Sequence, residues 1–133
     1  NFNNRTEEAI GTSQDLWTAY REGAFGKDSL RPWLGWVMLL EECPRSTAPV
    51  KVDEPHFKVF PEFNGASYAD RYKILLQKLV KERLYDSAAF ILATEKGGPK
   101  GEFSEPANDL SMKAFLAGLS GHIGVHLASQ NNS

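Results

Sequence analysis

The stretch Arg31–Glu42, RPWLGWVMLLEE, is apolar almost without a break from Trp33 to Leu40. It is far shorter than the roughly 20 residues a membrane-spanning helix needs, and it ends in two acids. A run of this length suits a strand buried on both faces, as in sheets covered by helices. Its neighbours decide what covers it. Upstream, Arg5–Phe25 reads as an amphipathic helix with Ala9, Leu16, Trp17, Tyr20 and Ala24 near one face. Asn4 followed by Glu7 has the form of a capping box, and Gly23 and Gly26 bracket the expected helix end.

Downstream, residues 45–61 carry three prolines and read as loop, including the extended EPHFKVFPEF. Ser67–Tyr85 is the clearest helix. Tyr68, Tyr72, Leu75, Leu76, Leu79, Val80 and Leu84 form its apolar stripe, and Ser67 with Asp70 forms its cap. SAAFILAT, Ser87–Thr94, follows as a short apolar strand, and EKGGPKGEFSEP as a turn-rich loop. Asp109–Ser129 reads as a last helix, with Phe115, Leu116, Leu119, Ile123 and Leu127 on one face. The order helix-strand-helix-strand-helix predicts an α/β layer structure. Residues 1–129 form one domain or part of one, and 130–133 a polar tail. Two strands make a poor sheet by themselves, so further strands are expected from upstream sequence or from a partner chain.

Composition narrows the function classes. The chain has 133 residues, 41% hydrophobic and 24% charged, and a formal net charge of -2. No global basic field points to nucleic acid, although a local basic face would suffice. The lone Cys43 can form neither a disulfide framework nor a Cys-rich zinc site, and suits a reducing cytoplasm.

Few patterns carry chemistry. His122 and His126 lie four apart on one helix, but Ile123 stands where the helical zinc motif needs Glu. His56 is remote, so a metallohydrolase lacks its ligands. Glu41 and Glu42 close the first strand, yet adjacent strand residues point to opposite faces. Lys96 and Lys100 flank Gly97, Gly98 and Pro99. That loop suits a DNA backbone contact, but the pattern alone favours an ordinary surface turn. Arg71, Lys73, Lys78, Lys81 and Arg83 on the middle helix read as a solvated face.

The wording of the chain is more specific. The blocks FNNRTEEA, RPWLGWVMLLEECPRSTAPV, EPHFKVFPEFNGASYADRYKILLQKLVKERLYD and GEFSEPANDLS resemble the XhoI family of type II restriction endonucleases. The resemblance covers nearly the whole chain, Asn1 to His122. It implies a bacterial, cytoplasmic, magnesium-dependent deoxyribonuclease that cleaves double-stranded DNA at a CTCGAG-type palindrome. It also implies a homodimer, because a two-fold protein matches a palindrome. The implied fold is a PD-(D/E)xK core, in which an Asp on one strand and Glu-x-Lys on the next hold the metal.

This chain departs from that pattern. It contains no Glu-x-Lys, and Glu54 and Lys58 in DEPHFK have the wrong spacing. In the family the Glu-x-Lys strand lies shortly upstream of the FNNR block. The resemblance therefore implies the C-terminal half of the core, with the catalytic residues expected upstream of Asn1 and no cleavage by this chain alone. Asn4, Arg5 and Glu8 would lie near the active-site cleft. Helix capping and an Arg5–Glu8 surface pair explain the same residues equally well. The alternative is a non-enzymatic DNA-binding or dimerisation module, or a degenerate homologue of the nuclease.

Overall fold

A computed structural model describes residues 1–52 and 60–130. His56, Glu54, Lys58 and most of the extended segment around them lie outside the described residues, as does the tail beyond Gln130. The elements are α1 (Phe2–Arg21), β1 (Gly35–Glu41), the single turn α2 (Pro44–Thr47), α3 (Tyr68–Lys81), β2 (Ser87–Ala93) and α4 (Met112–Gln130). The expected alternation holds, with α2 added inside the segment read as loop.

β1 and β2 pair in parallel, from Gly35 opposite Ser87 to Glu41 opposite Ala93. Trp36, Met38 and Leu40 share one sheet face with Ala88, Phe90 and Leu92, and α1 and α3 cover it. Here lies the core, with Leu76 and Phe90 fully enclosed. Burying such a side chain contributes about 1.5–3 kcal/mol. Tyr85 sits at its edge, against Trp36 ring to ring at 5.5 Å. At the amino ends of the strands, Asp86 is the tie. Its carboxylate accepts from the Leu34 N–H at 2.8 Å and the Arg31 guanidinium at 2.7 Å. The same guanidinium lies 4.4 Å from the Trp17 ring of α1.

The other sheet face corrects the expectation of two-sided burial for β1. α4 packs beside β2, and leaves Val37 and Leu39 exposed, Leu39 at 65%. An apolar run reports that a residue can be buried, not that this chain supplies the cover. The same holds for α4. Only Phe115 is buried, edge-on to Trp33 at 5.1 Å, while Leu116, Ile123 and Leu127 of the expected face are exposed. Gly35 permits this packing, because a Cβ there would meet Trp33 at 2.5 Å and Phe115 at 2.7 Å.

Helix ends show where local chemistry suffices. Ser67 Oγ accepts from the Asp70 N–H at 3.0 Å, and the Asp70 carboxylate accepts from the Ser67 N–H at 3.0 Å, as predicted. α3 stops at Lys81 rather than Tyr85, because Arg83 turns the chain at φ 64. α1 starts earlier than expected. Asn1 is its cap and accepts from the Asn3 N–H at 3.0 Å, so Asn4 sits inside the helix and caps nothing. α4 starts later. Ser111 Oγ takes the Ala114 N–H at 3.1 Å, while Asp109 lies in a 3-10 turn and accepts from Gln77 of α3. Gln130, read as the first tail residue, ends α4.

Candidate nucleic-acid interface at the carboxyl edge of the sheet

Parallel strands place both of their carboxyl ends on one edge, and in open α/β sheets ligands bind outside that edge. Here the edge carries Glu41 of β1, the turn α2, and the loop that leaves β2. α1 runs back across the sheet, so its first turn reaches the same edge. An open pocket of about 940 Å3 lies there, and its walls include Phe2, Leu40, Glu41, Arg45, Arg71 and Tyr72.

Local sequence explains each wall. β1 ends at Glu41, and after Cys43 the residue Pro44 opens α2, where Ser46 Oγ donates to the Glu41 carbonyl at 2.6 Å. That bond holds Arg45 at the pocket mouth. Phe2 meets Tyr72 edge-on at 5.2 Å and closes the floor between α1 and α3. Burial raises the Tyr72 hydroxyl above its usual value, and the nearby Arg5 charge partly opposes this. Arg71 emerges beside Tyr72, with its guanidinium 5.8 Å from the Tyr68 ring. Its Nε is shut away from solvent and has no hydrogen-bond partner among the described residues.

The sequence-chosen residues fall around this pocket rather than in it. Asn4, Arg5 and Glu8 are exposed on the first turns of α1, just past the residues that line the pocket. Arg5 and Glu8 pair with each other, which is the surface-pair reading of those two positions. Lys96 and Lys100 are exposed in the loop after β2, on the same edge. That loop is tightly built. Gly97 donates to Thr94 Oγ1 at 3.0 Å, and a Cβ on Gly97 would come within 2.8 Å of that oxygen. An antiparallel bridge between Leu92 and Ser104 closes its base.

Sequence reasoning misses Arg45 and Arg71. Arg71 belongs to the charges read as a solvated face, and the structure overturns that reading for this one residue. A signal exists. Arg71 lies four residues before Leu75, so it borders the apolar stripe of α3. What encloses it comes from α1 and α2, and no local pattern reports that.

His122 and His126 are elsewhere. They line a groove of about 470 Å3 with residues of the Asp28–Pro32 segment, beyond the opposite end of the sheet. Gln130 lies 2.9 Å from His126. Among the described residues, no three His, Cys, Asp or Glu side chains are grouped to hold a metal ion.

Against this geometry stands a family match. The family described as restriction endonuclease XhoI matches residues 1–105. This chain belongs to the XhoI restriction-endonuclease family. It is 52% identical over 133 residues to the type II restriction enzyme BstVI of Geobacillus stearothermophilus, covering all of this chain and 59% of that protein. It is 56% identical over 80 residues to the type II restriction enzyme XhoI of Xanthomonas vasicola, covering 60% of this chain and 32% of that one. Against the type II restriction enzyme AbrI of Azospirillum brasilense, identity is 64% over 58 residues, covering 44% and 26%. The chain thus spans less than two thirds of the length of each of these relatives. No solved structure matches it. No helix among the described residues is long and apolar enough to cross a membrane.

Proposed function

We propose that this chain is the C-terminal part of a type II site-specific deoxyribonuclease that acts on double-stranded DNA at a CTCGAG-type palindrome. The observation that carries the proposal is the 52% identity to a type II restriction enzyme along the whole chain. The carboxyl edge of the sheet, with Arg45, Arg71, Lys96 and Lys100, is the surface assigned to DNA, and Asn4, Arg5 and Glu8 border it.

The chain is read as one α/β unit over residues 1–129, within a PD-(D/E)xK core. Two features support that finer fold. Among the described residues the outer edge of β1 pairs with nothing, and its Val37–Leu39 face is bare. A strand supplied by the rest of the enzyme would pair with that edge. The homodimer follows from matching a two-fold protein to a palindrome, and the bacterial cytoplasm is where such an enzyme meets its DNA.

Magnesium is the cofactor of the whole enzyme in this reading, but the carboxylates described here do not fit it. Glu41 and Glu42 are adjacent in sequence at the end of one strand, with no third ligand grouped beside them. With no Glu-x-Lys in the sequence, the metal ligands are assigned to the remainder of the enzyme, and this chain alone does not cut DNA. Its own residues bind and position the duplex.

A chimera tests this. This chain replaces the matching 59% of BstVI, and the product is assayed with magnesium on DNA carrying CTCGAG. Site-specific cleavage is expected. A folded chimera that binds such DNA without cutting it would favour the degenerate homologue.

A further inference from the structure

We propose that the pocket between Arg45 and Arg71 is a subsite for a phosphate of the DNA backbone. The proposal rests on the DNA-directed reading above and assigns it a specific place. Three observations meet here. The pocket opens at the carboxyl edge of a parallel pair, where backbone and side chains converge on a ligand. Two guanidinium groups line it, and neither makes a salt bridge to a described residue, whereas the neighbouring Arg5 is paired with Glu8. The Nε of Arg71 is enclosed and has no partner among the described residues.

An enclosed donor on a charged group is costly without an acceptor, so this one calls for an acceptor in use. An anion entering the pocket between α1, α2 and α3 would supply one. Arginine presents a planar fork that matches phosphate oxygens two at a time. Arg45, exposed at the mouth, meets the anion from solvent, and Arg71 meets it from the wall. Glu41 stands at the same rim. Its charge disfavours a free dianion and leaves the singly charged diester of a DNA backbone as the better fit. The Tyr68 ring lies 5.8 Å from the Arg71 guanidinium, within cation–π range.

The test is a salt titration of duplex binding by the purified chain, read by fluorescence anisotropy with a labelled CTCGAG duplex. Neutralising one phosphate fewer lowers the slope of log affinity against log salt by about 0.9. R45Q and R71Q are each expected to weaken binding and to reduce the slope by about that amount. K27Q, on the exposed loop beyond the far end of α1, is expected to change neither. Arg45 is exposed, so R45Q leaves the fold intact even if R71Q does not, and circular dichroism checks both. Wild-type binding with an unchanged slope in both variants overturns the subsite and leaves the nuclease reading standing. Failure of the wild-type chain to bind the duplex overturns the subsite in this chain, while the nuclease reading is decided separately by cleavage in the BstVI chimera.

Discussion

The Tyr85 hydroxyl donates to the main-chain carbonyl of Ala9 at 2.7 Å, tying the end of the α3 turn to the middle of α1. Tyr85 is almost completely buried, and burial, with a smaller contribution from Glu8, pushes its hydroxyl up to about 12. The unfolded chain releases this proton near 10, so between about 10 and 12 the unfolded state binds fewer protons and stability falls as pH rises. Tyr85→Phe is expected to cost about 0.5–1.5 kcal/mol at neutral pH and to flatten the alkaline decline. Urea unfolding at pH 8 and at a pH near 11 measures both effects.

The capping box of α3 gives the acid counterpart. Hydrogen bonds from the Ser67 backbone and hydroxyl, in that order, hold Asp70 below its usual value. A lowered carboxylate adds stability above its unfolded value near 3.8 and loses it as pH falls through the folded one. Ser67→Ala removes the cap at a cost of about 1 kcal/mol. It also reduces the steepness of acid unfolding, which a pH series of thermal melts would show.

That cap is legible in the sequence because its partners are three residues apart. The same rule misplaces the α1 cap. Asn4 and Glu7 satisfy the pattern, but Asn1 reaches the first free amides sooner, so the helix has already begun. Strand and helix order is legible because apolar periodicity is local. The bare faces of β1 and α4 are not, since Leu39 and Leu127 are as apolar as Leu76 and differ only in what lies against them. Of the carboxyl edge proposed to meet DNA, the two loop lysines can be picked from the sequence. Arg45 and Arg71 cannot, because their pocket exists only once α1, α2 and α3 meet.

α4 should behave as a helix attached at one end. Phe115→Ala removes its buried anchor and is expected to cost about 3–5 kcal/mol. Val125→Ser and Leu127→Ser, on exposed positions, are expected to stay within about 0.5 kcal/mol of the parent. Guanidinium unfolding followed by tryptophan fluorescence separates the two classes, since Trp33 reports directly on Phe115.

The two close-packed glycines differ in what surrounds them. At Gly35 a Cβ meets aromatic rings on both sides, at 2.5 Å from Trp33 and 2.7 Å from Phe115. Gly35→Ala is therefore an overpacking change, expected to cost about 1–3 kcal/mol. At Gly97 the two nearest atoms are the Thr94 hydroxyl and the Glu102 carboxylate, which can swing aside, and the fixed Glu102 Cβ is farther off at 3.2 Å. Gly97→Ala should cost less, and paired denaturation curves rank them.

In the proposed function this chain positions DNA for a nuclease whose metal ligands lie elsewhere in the enzyme. The most direct measurement incubates the purified chain, by itself, with magnesium and a supercoiled plasmid carrying one CTCGAG site. The plasmid is expected to stay circular. Linear DNA with its ends at CTCGAG, produced by this chain alone, would contradict that assignment.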